Sequence, residues 1–439
     1  MTIILLTAVV KGVAVLKELV VAWRFGISDP LDAYVIALLV NSLAVTMVAG
    51  PVSVVLIPTF ISVREQEGPE AEQRLLASVT AFSLALLLVA AAVVTAGAPF
   101  YLPWLASGFG PEKLSLALRL TYLMLPMVPL SGLVAVWGAV LNSRERFALT
   151  ALAPIITPVA GVLFLLALKS WGVFALPAGM VCGAGLEALL LGAALRREGL
   201  SLRPRWHGTE AGMRQVVGQF TPTAAGTALR GGSSVVDRAI AATLPAGSVA
   251  ALSYGGRITA TLLNVVGMAV GTAVTPYFSK MVARRDWGGI RHTLRRYLLL
   301  VAAITLPLAA LFFFFSEAVV RALYQRGSFG AADTQLVARV QAFYALQIPF
   351  FVANAVVARL LTSLLAARFN MWAAVINLVL NVVLNLLLVA PYGVAGIALA
   401  TSSASVASLF FLSYHLLRIL RRREASAGGV EGAEAPAGD

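Results

Sequence analysis

The chain has 439 residues, 59% of them hydrophobic and only 12% charged, with 33 Lys and Arg against 20 Asp and Glu for a formal net charge of +13. A soluble domain is about 25% charged, so this composition excludes a string of soluble domains and points to a polytopic membrane protein. One cysteine (Cys182) and three scattered histidines exclude an intrachain disulfide and metal-ligand spacing, and no G-x-x-x-x-G-K-S/T phosphate loop is present, so no metal or cofactor is expected.

At about 20 apolar residues per crossing, twelve transmembrane helices are predicted near 3–24, 31–60, 75–99, 113–141, 147–168, 171–194, 213–242, 248–278, 293–316, 334–363, 369–390 and 393–417. The first holds Lys11, Lys17 and Glu18 and lacks a small-residue cleavage site, so it reads as a retained helix. The polar stretch from Arg196 to Gly212 is the longest connector and the natural midpoint. These spans divide the chain into an N-terminal lobe over 1–200, a cytoplasmic connector over 201–212, a C-terminal lobe over 213–420 and a tail over 421–439. The tail's Ala, Gly and Glu content predicts disorder.

Charge sets orientation. Twenty Lys and Arg fall in alternate loops and the C-terminal segment, against five (Arg24, Lys113, Lys169, Arg321, Arg326) in the opposite loops. Cytoplasmic loops concentrate basic residues, so both termini are placed in the cytoplasm and the helix count is even. The basic balance thus reports topology, and a nucleic-acid partner is not expected.

The two halves repeat. LIPTF around Pro58 pairs with VTPYF around Pro276 at an offset of 218; Phe109-Gly110 with Phe329-Gly330 and Arg119 with Arg339 at 220; Gly172-Val173 with Gly393-Val394 at 221; Arg146-Phe147 with Arg368-Phe369 at 222. Six-helix repeats enter the membrane from the same side, so their pseudo-symmetry axis runs along the membrane normal, and transporters of this kind bind substrate between the halves.

Eight cations remain inside predicted spans: Lys11, Lys17, Arg119, Arg230, Arg238, Arg257, Arg339 and Arg359. Each needs a partner, a wet cavity or a path to the interface, because a charge at the bilayer centre costs at least about 2.5–3.5 kcal/mol. Arg119 and Arg339, near helix ends, read as snorkelling structural residues. Lys11 and Glu18 lie seven residues apart, as do Arg230 and Asp237, and the two pairs are related by an offset of 219. Seven residues is two helical turns on one face. Lys17, Arg238 and Arg257 add cations, and Asp32 opens the second span. The set is net positive and suits an anion such as a diphosphate. Interhelical salt bridges remain the alternative for each residue, and the asparagines Asn377, Asn381 and Asn385 read as helix-packing groups.

WRFGISDPLDAYVIALL (23–39), VDRAIAATLPAGSVAALSYGGRI (236–258), VTPYFSK (274–280) and LYQRGSFGAADT (323–334) resemble the MurJ (MviN) lipid II flippases of the multidrug/oligosaccharidyl-lipid/polysaccharide (MOP) exporter superfamily. The resemblance covers nearly the whole chain. It implies an all-α fold of two six-helix pseudo-symmetric lobes that carries a polyprenyl-diphosphate-linked peptidoglycan precursor between leaflets of the bacterial cytoplasmic membrane by alternating access. It implies no enzymatic activity, and it admits cell-wall synthesis enzymes as partners. The family's first-helix cations fall at Lys11 and Lys17, its acid after the first outer loop at Asp32, its helix-eight arginine at Arg257 and its helix-eleven cation at Arg368. Lys11, Lys17, Asp32, Arg230, Arg238 and Arg257 are therefore the candidate substrate-binding residues, with Glu18, Asp237 and Arg368 for charge pairing and gating. The chain departs from the pattern where the family has helix-two cations, having Leu39, Val45 and Thr46 there. It has Gly256 where an acid precedes the helix-eight arginine, and it has twelve predicted helices where many members have two more. A flippase for another lipid-linked oligosaccharide and an inactive scaffold of cell-wall synthesis are the alternatives; a cation-drug antiporter would call for a net acidic cavity.

Overall fold

Backbone amides and carbonyls have no water partner in hydrocarbon, so a chain this apolar must satisfy them within its own helices. In the computed structural model the described residues are helical and contain no strand. The structure describes residues 2–208 and 210–431, without the side chains of 2–5, 230, 265, 267–273, 275, 276 and 425–431. The helices are α1 (Thr2–Phe25), α2 (Asp29–Glu67), α3 (Pro69–Leu105), α4 (Pro111–Leu123), α5 (Met127–Ser143), α6 (Phe147–Leu152), α7 (Ile156–Ala167), α8 (Ala175–Arg197), α9 (Ala211–Ala242), α10 (Ser248–Ala283), α11 (Trp287–Phe314), α12 (Ser316–Tyr324), α13 (Ala331–Ala345), α14 (Gln347–Ser363), α15 (Arg368–Tyr392) and α16 (Val394–Glu431).

Among the described residues eight helical stretches are long and apolar enough to cross a membrane, or nine if the α4–α5 pair, bent by 43°, is one crossing. That is fewer than the twelve expected from hydropathy. α1 and α9 carry the charged and polar residues of the first and seventh predicted spans, and α10 runs through side chains outside the description. Several predicted spans are broken. A 3-10 turn at Ala153–Ile155, containing Pro154, separates α6 from α7, and Pro126 stands between α4 and α5. Proline lacks the amide that a continuous helix needs. α16 continues to Glu431, beyond the point at 421 where the sequence suggested a disordered tail, and Glu424 pairs with Arg291 at 3.4 Å. Residues 432–439 lie outside the description.

The internal repeat is visible in the backbone. Gly172 and Gly393 have the same conformation (φ 55, ψ −131 and φ 56, ψ −139) at an offset of 221. Glu145 and Leu365, 220 apart, are both left-handed (φ 62 and 60). Each closes its helix with the same bond from the next amide, Arg146 N to Leu141 O at 2.9 Å and Ala366 N to Leu361 O at 2.8 Å. This six-to-one bond around a left-handed residue is the Schellman C-cap. The break between α4 and α5 likewise recurs between α13 and α14.

Packing divides the chain into two compact units, Met1–Ala250 with Tyr324–Gly330, and Ala251–Leu323 with Ala331–Asp439. In the first, α2 packs on α3, α4, α5 and α9, α7 on α8, and α1 on α6 and α7. A core of Val52, Leu56 and Phe60 from α2, Leu76 from α3, Leu141 from α5 and Leu195 from α8 fills one end of it. α7 and α8 approach closely through small residues: a Cβ on Gly183 would lie 2.6 Å from the Thr157 Cα, which only glycine avoids. The connector is pinned to α3. Gln73 exchanges two bonds with the Ser201 backbone, Arg205 N donates to Ala77 O, His207 N donates to Ser78 Oγ, and Arg74 pairs with Glu210 at 3.1 Å. In the second unit α16 packs on α13, α14 and α15. The asparagines of α15 serve that packing, Asn377 bonding Ser408 and Asn381 bonding Thr401.

Candidate functional site

Asp32 lies in the first turn of α2 and is 1% exposed. A buried carboxylate needs donors on both oxygens, and the first unit supplies three. Lys113 Nζ of α4 donates to Oδ2 at 2.7 Å, Gly247 N donates to the same oxygen at 2.7 Å, and Ala250 N donates to Oδ1 at 2.7 Å. The two amides belong to the start of α10, so Asp32 acts as a capping anion for a helix more than 200 residues away in sequence. Free amides and the positive dipole end make a helix N-terminus an anion site. Gly247 has φ 84, and a Cβ there would lie 3.0 Å from Ile27 O, so glycine is favoured and a side chain would be strained. Lys113 also pairs with Asp29 and sits 4.1 Å over the Phe109 ring.

Further contacts close the same end of the unit. Ser328 N donates to Trp23 O at 2.8 Å and its hydroxyl to Arg24 O at 3.0 Å. A Cβ on Gly108 would lie 2.3 Å from Ala242 O. Four connections therefore meet here: α1–α2, α3–α4, α9–α10 and α12–α13. Asp32 binds the α9–α10 connection, and these partners differ from the intramembrane cations beside which the sequence placed it.

The α1 charges pair differently from their spacing. Glu18 binds its neighbour Lys17 at 2.9 Å, both largely buried, whereas Lys11, two turns away, is exposed. The Lys17 stem runs over α7, where a Cβ on Gly161 would lie 3.7 Å from it. On α9, Asp237 is buried and half-buried Arg238 donates to Ser234 O at 3.4 Å; the Arg230 side chain lies outside the described residues. In the second unit Arg257 is exposed on α10, and Arg368 opens α15 with its guanidinium 5.1 Å from the Phe369 ring. At the positions where the sequence departs from the expected pattern, Leu39 is core, Thr46 bonds Ser42 O of its own helix, and a Cβ on Gly256 would lie 3.2 Å from the Tyr344 ring, a tight contact.

Three groups escaped the sequence argument. Lys113 was counted only as a loop cation. Arg144, likewise counted for topology, grips buried Glu72 with two bonds (3.1 and 2.8 Å) and reaches Glu198 O. Glu187 of α8, a lone acid in an apolar run, is buried and accepts from Thr157 Oγ1 of α7 at 2.9 Å. Its isolation in that run was the available signal.

The fold is shared with solved membrane transporters of the MOP superfamily. A structure described as lipid II flippase MurJ in an inward closed conformation superposes with TM-score 0.80 over 99% of this chain and 93% of that one, at 20% identity. An inward-facing MATE family multidrug transporter gives TM-score 0.78 at 14% identity, covering 94% and 96%. The class is thus a multi-pass, all-helical membrane protein with the fold of these transporters. Within it the family model for lipid II flippase MurJ matches residues 21–430, and the chain belongs to that family. Relatives described as probable lipid II flippases MurJ, from Synechocystis sp. and Treponema pallidum, are 24% and 26% identical over 94% of this chain and 80% of theirs. A lipid II flippase MurJ from Burkholderia cenocepacia is 28% identical over 77% of this chain and 67% of its own.

Proposed function

We propose that this protein is a non-hydrolytic flippase that carries a polyprenyl-diphosphate-linked peptidoglycan precursor, lipid II, from the cytoplasmic to the outer leaflet by alternating access. The observation that carries this reading is membership of the MurJ family over residues 21–430 in a chain whose intramembrane charges are net positive. The proposal places the chain in the bacterial cytoplasmic membrane with both termini inside, two six-helix lobes meeting at the 201–212 connector, and no catalytic chemistry. Lys11, Lys17, Arg230, Arg238 and Arg257 neutralise the diphosphate in the inward-facing state, and Glu18 and Asp237 re-pair with those cations as it leaves. Arg368 contributes a cation at the start of α15. Asp32 holds the outer end shut by capping α10, and release of that cap opens it. The membrane potential favours outward movement of a net negative headgroup. Cell-wall polymerases that consume the precursor outside are the partners this reading suggests.

The departures at Leu39, Val45, Thr46 and Gly256 favour, as a second reading, a different headgroup on the same diphosphate carrier. Depletion complementation separates the two. In a bacterium deprived of its own lipid II flippase, this chain is expected to restore outward lipid II as scored by leaflet labelling, and Lys17→Ala or Arg257→Ala to reduce it about tenfold or more. Normal expression without restored lipid II rejects the substrate, while full activity of both variants rejects the anion site.

A further inference from the structure

Arg119 of α4 is exposed, eight residues from the helix start at Pro111, and among the described residues no hydrogen bond or ion pair reaches its guanidinium. It lines a cavity of about 800 Å³ whose other walls are Phe25, Pro30, Leu116, Leu123 and the 3-10 turn 170–174. At about 1.5 Å per residue, the charge lies about 12 Å along the helix from Pro111, on an apolar segment. A guanidinium in an apolar wall there needs an anion or open water. Two more cations flank the cavity. Arg24 precedes the lining residue Phe25 and donates to Lys169 O at 2.7 Å, and Lys169 precedes the lining residue Ser170. Neither has a carboxylate partner among the described residues, and the nearby acid Asp29 is already engaged by Lys113. The charge at this groove is concentrated against the trend of the sequence. The loops of this side hold only five Lys and Arg, and two of them join Arg119 here. Trp171, half exposed in the same wall, has the amphipathic ring that favours the membrane interface.

We propose that this groove, between α4 and the 169–174 turn, binds an anionic diacyl glycerophospholipid, its phosphate on Arg119 with Arg24 and Lys169 at the rim and an acyl chain along Leu116, Leu123 and Phe174. Apolar walls of this extent select a lipid over a soluble anion, and three cations without carboxylate partners select an anionic headgroup over a zwitterionic one. The site is separate from the charges assigned to transport, so it stands whether or not the flippase reading does.

The test uses the full-length protein in vesicles of phosphatidylcholine doped with either brominated phosphatidylglycerol or brominated phosphatidylcholine at equal mole fraction. Quenching of Trp171 is read as the difference between the native chain and Trp171→Phe. Brominated phosphatidylglycerol is expected to occupy the groove about fivefold more than brominated phosphatidylcholine, and Arg119→Gln to bring the two lipids level. Arg321→Gln, a cation paired with Glu317 elsewhere, is expected to leave the preference intact. Equal quenching by both lipids in the native chain overturns the proposal, as does an unchanged preference in a folded Arg119→Gln protein. Loss of the preference on adding inorganic phosphate overturns it in favour of a free-anion site.

Discussion

Two oxygens on Asp32 serve three donors, one side chain from α4 and two backbone amides from the start of α10. Asp32→Ala leaves two backbone amides without an acceptor and Lys113 with only the more exposed Asp29, a loss of about 3 kcal/mol in unfolding free energy. Lys113→Met leaves the carboxylate its two amides and costs about half as much. Because the residues share one interaction, the double variant is expected to fall short of the sum by at least about 1 kcal/mol in denaturant titrations of the purified protein. Strict additivity would show that the pair is not coupled. Asp32 was legible in the sequence, since a carboxylate at the head of an apolar helix calls for a purpose. Its partners were not. Lys113 looked like any loop cation, and backbone amides carry no residue signature, so only the tertiary approach of α10 reveals them. The same limit applies to Glu18, whose register favoured Lys11 while its side chain bends to Lys17.

At the scale of helices, the repeat was legible through shared dipeptides, yet one of its closest structural correspondences has no shared residue. Glu145 and Leu365 occupy the same left-handed C-cap with the same bond pattern, although the residues have nothing in common chemically. The offset is 220 through this turn and 222 at the Arg-Phe pair just beyond it, so two residues are inserted directly after the cap. Neither residue suits its conformation. A side chain at positive φ costs about 1–2 kcal/mol, and Leu365 is 95% exposed, so it recovers nothing through burial within the chain. Leu365→Gly is therefore expected to stabilise the detergent-solubilised protein by about 1 kcal/mol, after the glycine's own entropic cost, with a rise in the thermal unfolding midpoint. A fall would show that the leucine gains more by inserting into the amphiphile layer than it loses in strain. The broken helices were only half legible. Pro126 and Pro154 mark breaks, and Pro349 stands just past the break between α13 and α14, where its missing amide leaves the Ala345 carbonyl without a helical donor; the predicted span at 334–363 read through all of it because proline is tolerated inside membrane helices.

In the alternating-access cycle proposed above, the end of the first unit where four connections converge is the part that would open and close. Its ties include polar ones, the Asp32 cap and the two Ser328 bonds, beside the close pass of Gly108 by Ala242. The two charge-assisted bonds that Gly247 N and Ala250 N donate to one carboxylate break together when α10 withdraws, while Lys113 of α4 stays as its partner. This makes the Ile27–Gly247 approach a place to arrest the cycle, since a Cβ on Gly247 would lie 3.2 Å from that of Ile27. In a Cys182→Ala background, Ile27→Cys with Gly247→Cys is expected to support outward lipid II until a short bis-methanethiosulfonate is added, which joins each thiol through a disulfide with loss of methanesulfinate, then to stop, and to recover when a reductant cleaves those disulfides. Either cysteine alone, treated alike, should keep its activity, and the untreated pair must be active despite the strain of a side chain at φ 84. Undiminished delivery by a cross-linked protein would show that this end stays closed throughout the cycle, and that Asp32 is a structural cap with no part in gating.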